Sequence, residues 1–132
     1  MKALDTNILV RFLVNDNKTQ SLLVRDLFQK AEEINSVFYI PINIILELHA
    51  VLKSIYKYPR NKIILAIEAL SLMNIFIFEN IQVLRNSIIK ANASNYDFPD
   101  LLIGYNAKLN NCLTTLTFDK KAAKSDLFEL LK

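Results

Sequence analysis

Glycine, cysteine and histidine each occur once in the 132 residues, and tryptophan is absent. The single glycine, Gly104, cannot build a glycine-rich phosphate loop of the Walker or the dinucleotide kind, so nucleotide binding by such a cradle is excluded. With one cysteine, Cys112, there is no internal disulfide and no Cys-rich zinc site. His49 alone would have to fill every imidazole role, which makes zinc-finger and Ser-His-Asp readings poor. The apolar runs are short as well. Val37–Ile42 and Ile75–Phe78 fall far below the roughly 20 residues of a membrane span, so no membrane association is expected. Met1–Asp5 carries no apolar signal region, and the expected location is the cytoplasm.

Against these absences stand 52% hydrophobic and 22% charged residues, enough to bury a core and incompatible with intrinsic disorder. No linker, repeat or low-complexity stretch interrupts the chain, so residues 1–132 are expected to form one domain. Strand and helix patterns alternate. Lys2–Leu4, Val37–Ile40, Ile75–Phe78, Leu113–Thr117 and Leu127–Leu130 read as strands. Helices are predicted over Ile8–Val14, over Thr19–Ile34 with Leu22, Leu23, Leu27 and Phe28 as its apolar stripe, and from an Asn43 cap to about Tyr56. Three more follow over about Asn61–Met73, Ile81–Ala93 and Pro99–Asn110. This order predicts an α/β layer fold with a mainly parallel sheet, since parallel neighbours need helical crossovers. In such folds sites form at the carboxyl ends of strands.

The polar residues expected there are acids. Asp5 follows the first strand, Glu47 lies in the helix after the second, Asp100 opens the helix before the fourth, and Asp119 follows the fourth. Each has a plain alternative role. Asp5, Asp97 and Asp119 stand where helix caps stand, and Asp100 in a first helical turn suits the helix dipole. Glu47 lies roughly 40° from Val51 at the edge of the stripe Ile44, Leu48, Val51, Leu52 and Ile55, an unusual place for a solvated acid. Gly104 and Ala107, on the face of Asp100, predict open space above its carboxylate. Acids gathered at one sheet edge repel each other unless a cation compensates. An all-oxygen set therefore points to a hard ion, Mg²⁺ or Mn²⁺, and to phosphate chemistry.

Charge agrees with a phosphate-bearing substrate. Sixteen bases face thirteen acids, and setting the four clustered acids aside leaves nine against sixteen, so the body is basic around an acidic pocket. Arg11, Lys53, Lys120 and Lys121 are candidate RNA contacts, with Arg60, Lys62 and Lys124 in reserve. Any single lysine among them is as well explained as a solubility charge.

The segments LDTNILVRFL, IILELHAVL, DFPDLLIGYNA and LTTLTFDKKAAK resemble the successive acidic motifs of PIN-domain ribonucleases, and within that family those of the VapC toxins of bacterial toxin–antitoxin pairs. The resemblance covers essentially the whole chain. It implies a three-layer α/β/α PIN-like fold with a mainly parallel central sheet of about four or five strands. It further implies Mg²⁺- or Mn²⁺-dependent endoribonuclease activity on RNA, a homodimer, and a small cognate antitoxin. Motif by motif it assigns Asp5, Glu47, Asp100 and Asp119 as acidic, metal-holding site residues, with Thr6, Asn7, Asp97 and Thr117 as supporting groups. His49, Pro99 and Asn111 depart from the usual pattern, and Asn111 tolerates the left-handed backbone that glycine often supplies there.

Two other readings compete. A phosphatase on a similar sheet would carry Asp-x-Asp after the first strand, and here the third position is Asn7. A non-catalytic PIN-like module that binds RNA or a protein would be marked by a missing acid, and none is missing.

Overall fold

The computed structural model describes residues 1–132. Strands and helices alternate along the first part of the chain as β1 (Lys2–Ala3), α1 (Thr6–Leu13), α2 (Lys18–Glu33), β2 (Phe38–Ile40), α3 (Ile42–Ser54), α4 (Arg60–Ser71) and β3 (Phe76–Phe78). The remainder is α5 (Ile81–Asn92), α6 (Phe98–Leu109), β4 (Thr115–Thr117), a 3₁₀ turn at Ala122–Lys124, and β5 (Phe128–Leu130). Every strand pair is parallel, as helical crossovers require. The expectation of four or five strands in one sheet is corrected: β1, β2 and β3 form a three-stranded sheet in that order, and β4 and β5 form a separate pair. Strands of two or three residues carry short ladders, and β4 finds its partner in the segment just after it, with Thr115 opposite Phe128 and Thr117 opposite Leu130. The chain divides into two compact units, Met1–Glu79 and Asn80–Lys132. No helix is long and apolar enough to cross a membrane.

In the first unit, α1 starts at Thr6, earlier than the apolar pattern alone indicates, because the Thr6 N–H donates to Asp5 Oδ1 at 2.7 Å and caps the helix. The buried face of α2 is Ser21, Val24, Phe28 and Ala31, whereas Leu22, Leu23 and Leu27 are exposed, against the expected leucine stripe. Phe28 decides the orientation. Its ring meets Phe12 edge-on at 5.0 Å and Phe76 at 5.2 Å, an aromatic cluster that outweighs three separate leucines. Ser21 can accompany it inward because its hydroxyl donates to the Arg11 carbonyl at 2.8 Å. Asn43 does not cap α3. The cap position is Pro41, which has no side-chain acceptor, and Glu79 Oε1 instead accepts the Ile42 N–H at 3.2 Å.

In the second unit, α5 packs on α6 through buried Val83, Leu84, Ile88, Phe98, Leu101 and Leu102. Ser87, fully enclosed, satisfies its hydroxyl by donating to the Val83 carbonyl at 2.8 Å. Asn111, just past α6, takes the expected left-handed backbone with φ 64°.

Candidate active site

The first unit carries a cavity of about 250 Å³ between α1 and α3. Asp5, Thr6, Asn7 and Glu47 line it on the acidic side, Arg11 and Tyr56 line it further along, and Val10 and Val51 give apolar wall. Local structure explains the arrangement. Asp5 is the cap of α1, so its carboxylate is fixed at the helix start. The buried residues of α3 are Ile45, Leu48, His49 and Leu52, which turns Glu47, Val51 and Ile55 toward the cavity. The stripe is thus shifted from the expected one, and Glu47 lies outside the core as an exposed residue.

Thr6 is unusual. Only 4% of it is exposed, and its Oγ1 is buried with no hydrogen-bond partner. An orphaned buried hydroxyl costs about 1–3 kcal/mol. It lies next in sequence to Asp5, on the wall of the same cavity.

The second unit gathers the other acids. Asp119 Oδ1 accepts the Lys121 N–H at 2.9 Å and the Ala122 N–H at 3.3 Å, and its own N–H donates to Thr117 Oγ1 at 3.0 Å. This turn holds the carboxylate in place after β4. Asp97 occupies the cap position of α6 but makes no capping bond, and its Oδ1 lies 3.4 Å from Lys121 Nζ. Asp100, in the first turn of α6, is half-buried. Burial first, then the carboxylates of Asp97 and Asp119, push its carboxyl above the ordinary value of 3.8, while the Lys121 ammonium pulls it down. The open space expected above Asp100 is absent at Gly104. A Cβ there would meet Leu127 Cβ at 2.9 Å and Phe128 Cε2 at 3.2 Å, so the missing side chain serves close packing against the start of β5.

The residues suit a hard divalent cation. In the first unit the donors are the Asp5 and Glu47 carboxylates and the partnerless Thr6 hydroxyl, and in the second the carboxylates of Asp97, Asp100 and Asp119, with Asp100 held where its negative charge is disfavoured. Within neither unit do three or more His, Cys, Asp or Glu side chains form a group that would enclose a metal.

Of the expected RNA contacts, Lys53 and Lys120 are exposed, Lys121 is paired with Asp97, and Arg11 is held by its neighbours. Sequence reasoning missed the contacts by which Asp16, Gln20 and Tyr56 hold Arg11. Asp16 and Gln20 lie near enough in sequence to invite the pairing, but nothing local marks Tyr56.

The sequence matches the family model for the PIN domain over residues 2–126. A comparison with curated proteins gives no match. The PIN domain is a nuclease-type domain, in keeping with the acidic oxygen donors described above. With the match spanning nearly its whole length, the chain belongs to the PIN-domain family.

Proposed function

We propose that this protein is a Mg²⁺- or Mn²⁺-dependent endoribonuclease, the toxin of a toxin–antitoxin pair, acting as one PIN domain. Asp5, Glu47, Asp100 and Asp119 serve as the acidic ligands, with Thr6, Asn7, Asp97 and Thr117 in support. One observation carries this reading: the PIN-domain match over residues 2–126 takes in Asp5, Glu47, Asp100 and Asp119, acids whose like charge a divalent cation would relieve.

When bound, such an ion lowers the pKa of a coordinated water and offsets charge on the departing oxygen. The chain's own contribution is pre-organisation. Backbone N–H groups already orient Asp5 and Asp119, so neither has to be fixed when substrate arrives. Glu47 is exposed on the cavity wall, which leaves its oxygens accessible to an ion or a water. Lys121 keeps Asp97 partly neutralised, limiting the repulsion that Asp100 feels.

The toxin assignment, a small antitoxin that presents an Arg or Lys to these acids, and the homodimer rest on the resemblance of the four motifs to VapC toxins. The exposed Leu22, Leu23, Leu27 and Ile34 of α2 and its end support a surface that a partner covers. The test is RNA cleavage by purified protein with and without chelator.

A further inference from the structure

Arg11 is fastened from three sides. Its Nε donates to Gln20 Oε1 at 2.6 Å, and its Nη1 donates to Asp16 Oδ1 at 3.1 Å and to the Tyr56 hydroxyl at 3.4 Å. Tyr56 in turn donates to Asp16 Oδ2 at 2.7 Å, closing a ring of contacts around the guanidinium. Isolated surface ion pairs contribute little to stability and networks contribute more, but stability alone asks for no particular direction of the guanidinium. What the network provides is a guanidinium with a fixed direction, its Nη2 taking no part in these contacts.

Its position adds the second half. Arg11 is the one base among the residues lining the cavity, and Asp5 and Glu47 line the same cavity. It stands roughly 9 Å along the axis of α1 from Asp5, given the helical rise per residue. A nucleic acid whose scissile phosphate reaches the acids places a neighbouring phosphate within the range of a base at that spacing. Asp5 and Glu47 repel that phosphate, and Arg11 alone on the cavity wall attracts it. Two half-buried rings lie close by in the sequence beyond α3. The Tyr56 ring lies 6.4 Å from Tyr58, and the Lys62 ammonium sits 4.0 Å over the Tyr58 ring. Rings beside bases suit unpaired nucleotides, which can stack, better than a duplex read by shape.

We propose that Arg11 anchors a backbone phosphate of single-stranded RNA next to the one that is cleaved, with Asp16, Gln20 and Tyr56 as its positioning residues. The inference rests on the nuclease reading above and adds to it where the substrate lies. A lysine keeps the charge but lacks the fork through which Gln20, Asp16 and Tyr56 fix the direction of the guanidinium.

The experiment is binding of a fluorescent, mixed-sequence, single-stranded 2′-O-methyl RNA, followed by anisotropy over a salt series in EDTA. Arg11→Gln is expected to weaken binding about tenfold and to reduce the slope of log affinity against log salt by about 0.7. Arg11→Lys restores the slope but only part of the affinity. Tyr56→Phe retains the charge and removes one restraint, and it weakens binding by a few fold with the slope unchanged. Absence of wild-type binding, or equal affinities and slopes for wild type and Arg11→Gln, overturns the proposal. Should thermal scans show Arg11→Gln unfolded, Arg11→Lys and Tyr56→Phe decide alone, and wild-type affinity in both overturns it. The probe resists cleavage and no divalent ion is present, so the outcome is independent of turnover. Arg11-dependent binding without RNA hydrolysis removes the nuclease reading and keeps the anchor, and hydrolysis with Arg11-independent binding does the reverse.

Discussion

Lys121 Nζ lies 3.4 Å from Asp97 Oδ1, so the base nearest the second acidic group is paired with the neighbour of Asp100 and forms no ion pair with Asp100. Asp100 therefore keeps a carboxyl raised above 3.8 by burial and by Asp97 and Asp119. A raised folded value means that the folded state holds the proton more tightly than the unfolded chain. The stability this gives is fully present below the unfolded value and is lost as pH rises through the folded one. At neutral pH the ionised Asp100 thus works against the metal-free fold. Asp100→Asn is expected to raise the metal-free Tm at pH 7 and to lose that advantage near pH 3. A metal-free Tm at pH 7 below that of wild type would contradict this.

Divalent ions should reverse the penalty. Mn²⁺ or Mg²⁺ at matched ionic strength is expected to raise the wild-type Tm, by linkage to the folded state alone. Asp119→Asn should lose much of that rise. The amide retains an oxygen for the Lys121 and Ala122 N–H groups, so the turn itself survives the substitution. Equal metal-induced shifts in wild type and Asp119→Asn would remove Asp119 from the ligand set.

Gly104→Ala sets two magnitudes against each other. Alanine gains about 1 kcal/mol of helix propensity over glycine. Overpacking costs about 1–3 kcal/mol, and here the new Cβ meets Leu127 Cβ at 2.9 Å and Leu127 Cδ1 at 3.0 Å. Net destabilisation is expected in urea unfolding, and a stabilised variant would mean that Leu127 shifts freely.

Glu79 serves α3 from outside it, accepting the Ile42 N–H at 3.2 Å and the Tyr39 hydroxyl at 3.4 Å. Glu79→Ala should cost about 1 kcal/mol, as loss of a helix cap does, and Glu79→Gln distinctly less. Equal losses for both variants would show that charge, and not capping, is what matters.

The order of elements was legible in the sequence because the apolar periods alternate cleanly and Pro41, Pro59 and Pro99 mark helix starts. Asp5 and Asp119 were legible as cap positions, and backbone N–H groups do donate to their carboxylates, which fixes each without consuming its other oxygen. The buried face of α2 was not legible. Leucine count favoured one side, while the partners of Phe28 that decide the other side, Phe12 and Phe76, lie in other elements. Gly104 misled for a similar reason, since the atoms that fill its space belong to Leu127 and Phe128. Glu79 and Tyr56 act across 37 and 45 residues of sequence, beyond the reach of any local pattern.

The most direct measurement is hydrolysis of single-stranded RNA by the purified protein in Mn²⁺ or Mg²⁺, with EDTA and with Asp5→Asn as controls. Loss of one metal ligand removes several kcal/mol of transition-state stabilisation, about 10²-fold or more in rate. Metal-dependent cleavage is predicted, stopped by EDTA and reduced at least that far in a folded Asp5→Asn protein. Cleavage undiminished in excess chelator, or a folded Asp5→Asn protein with wild-type turnover, would contradict it.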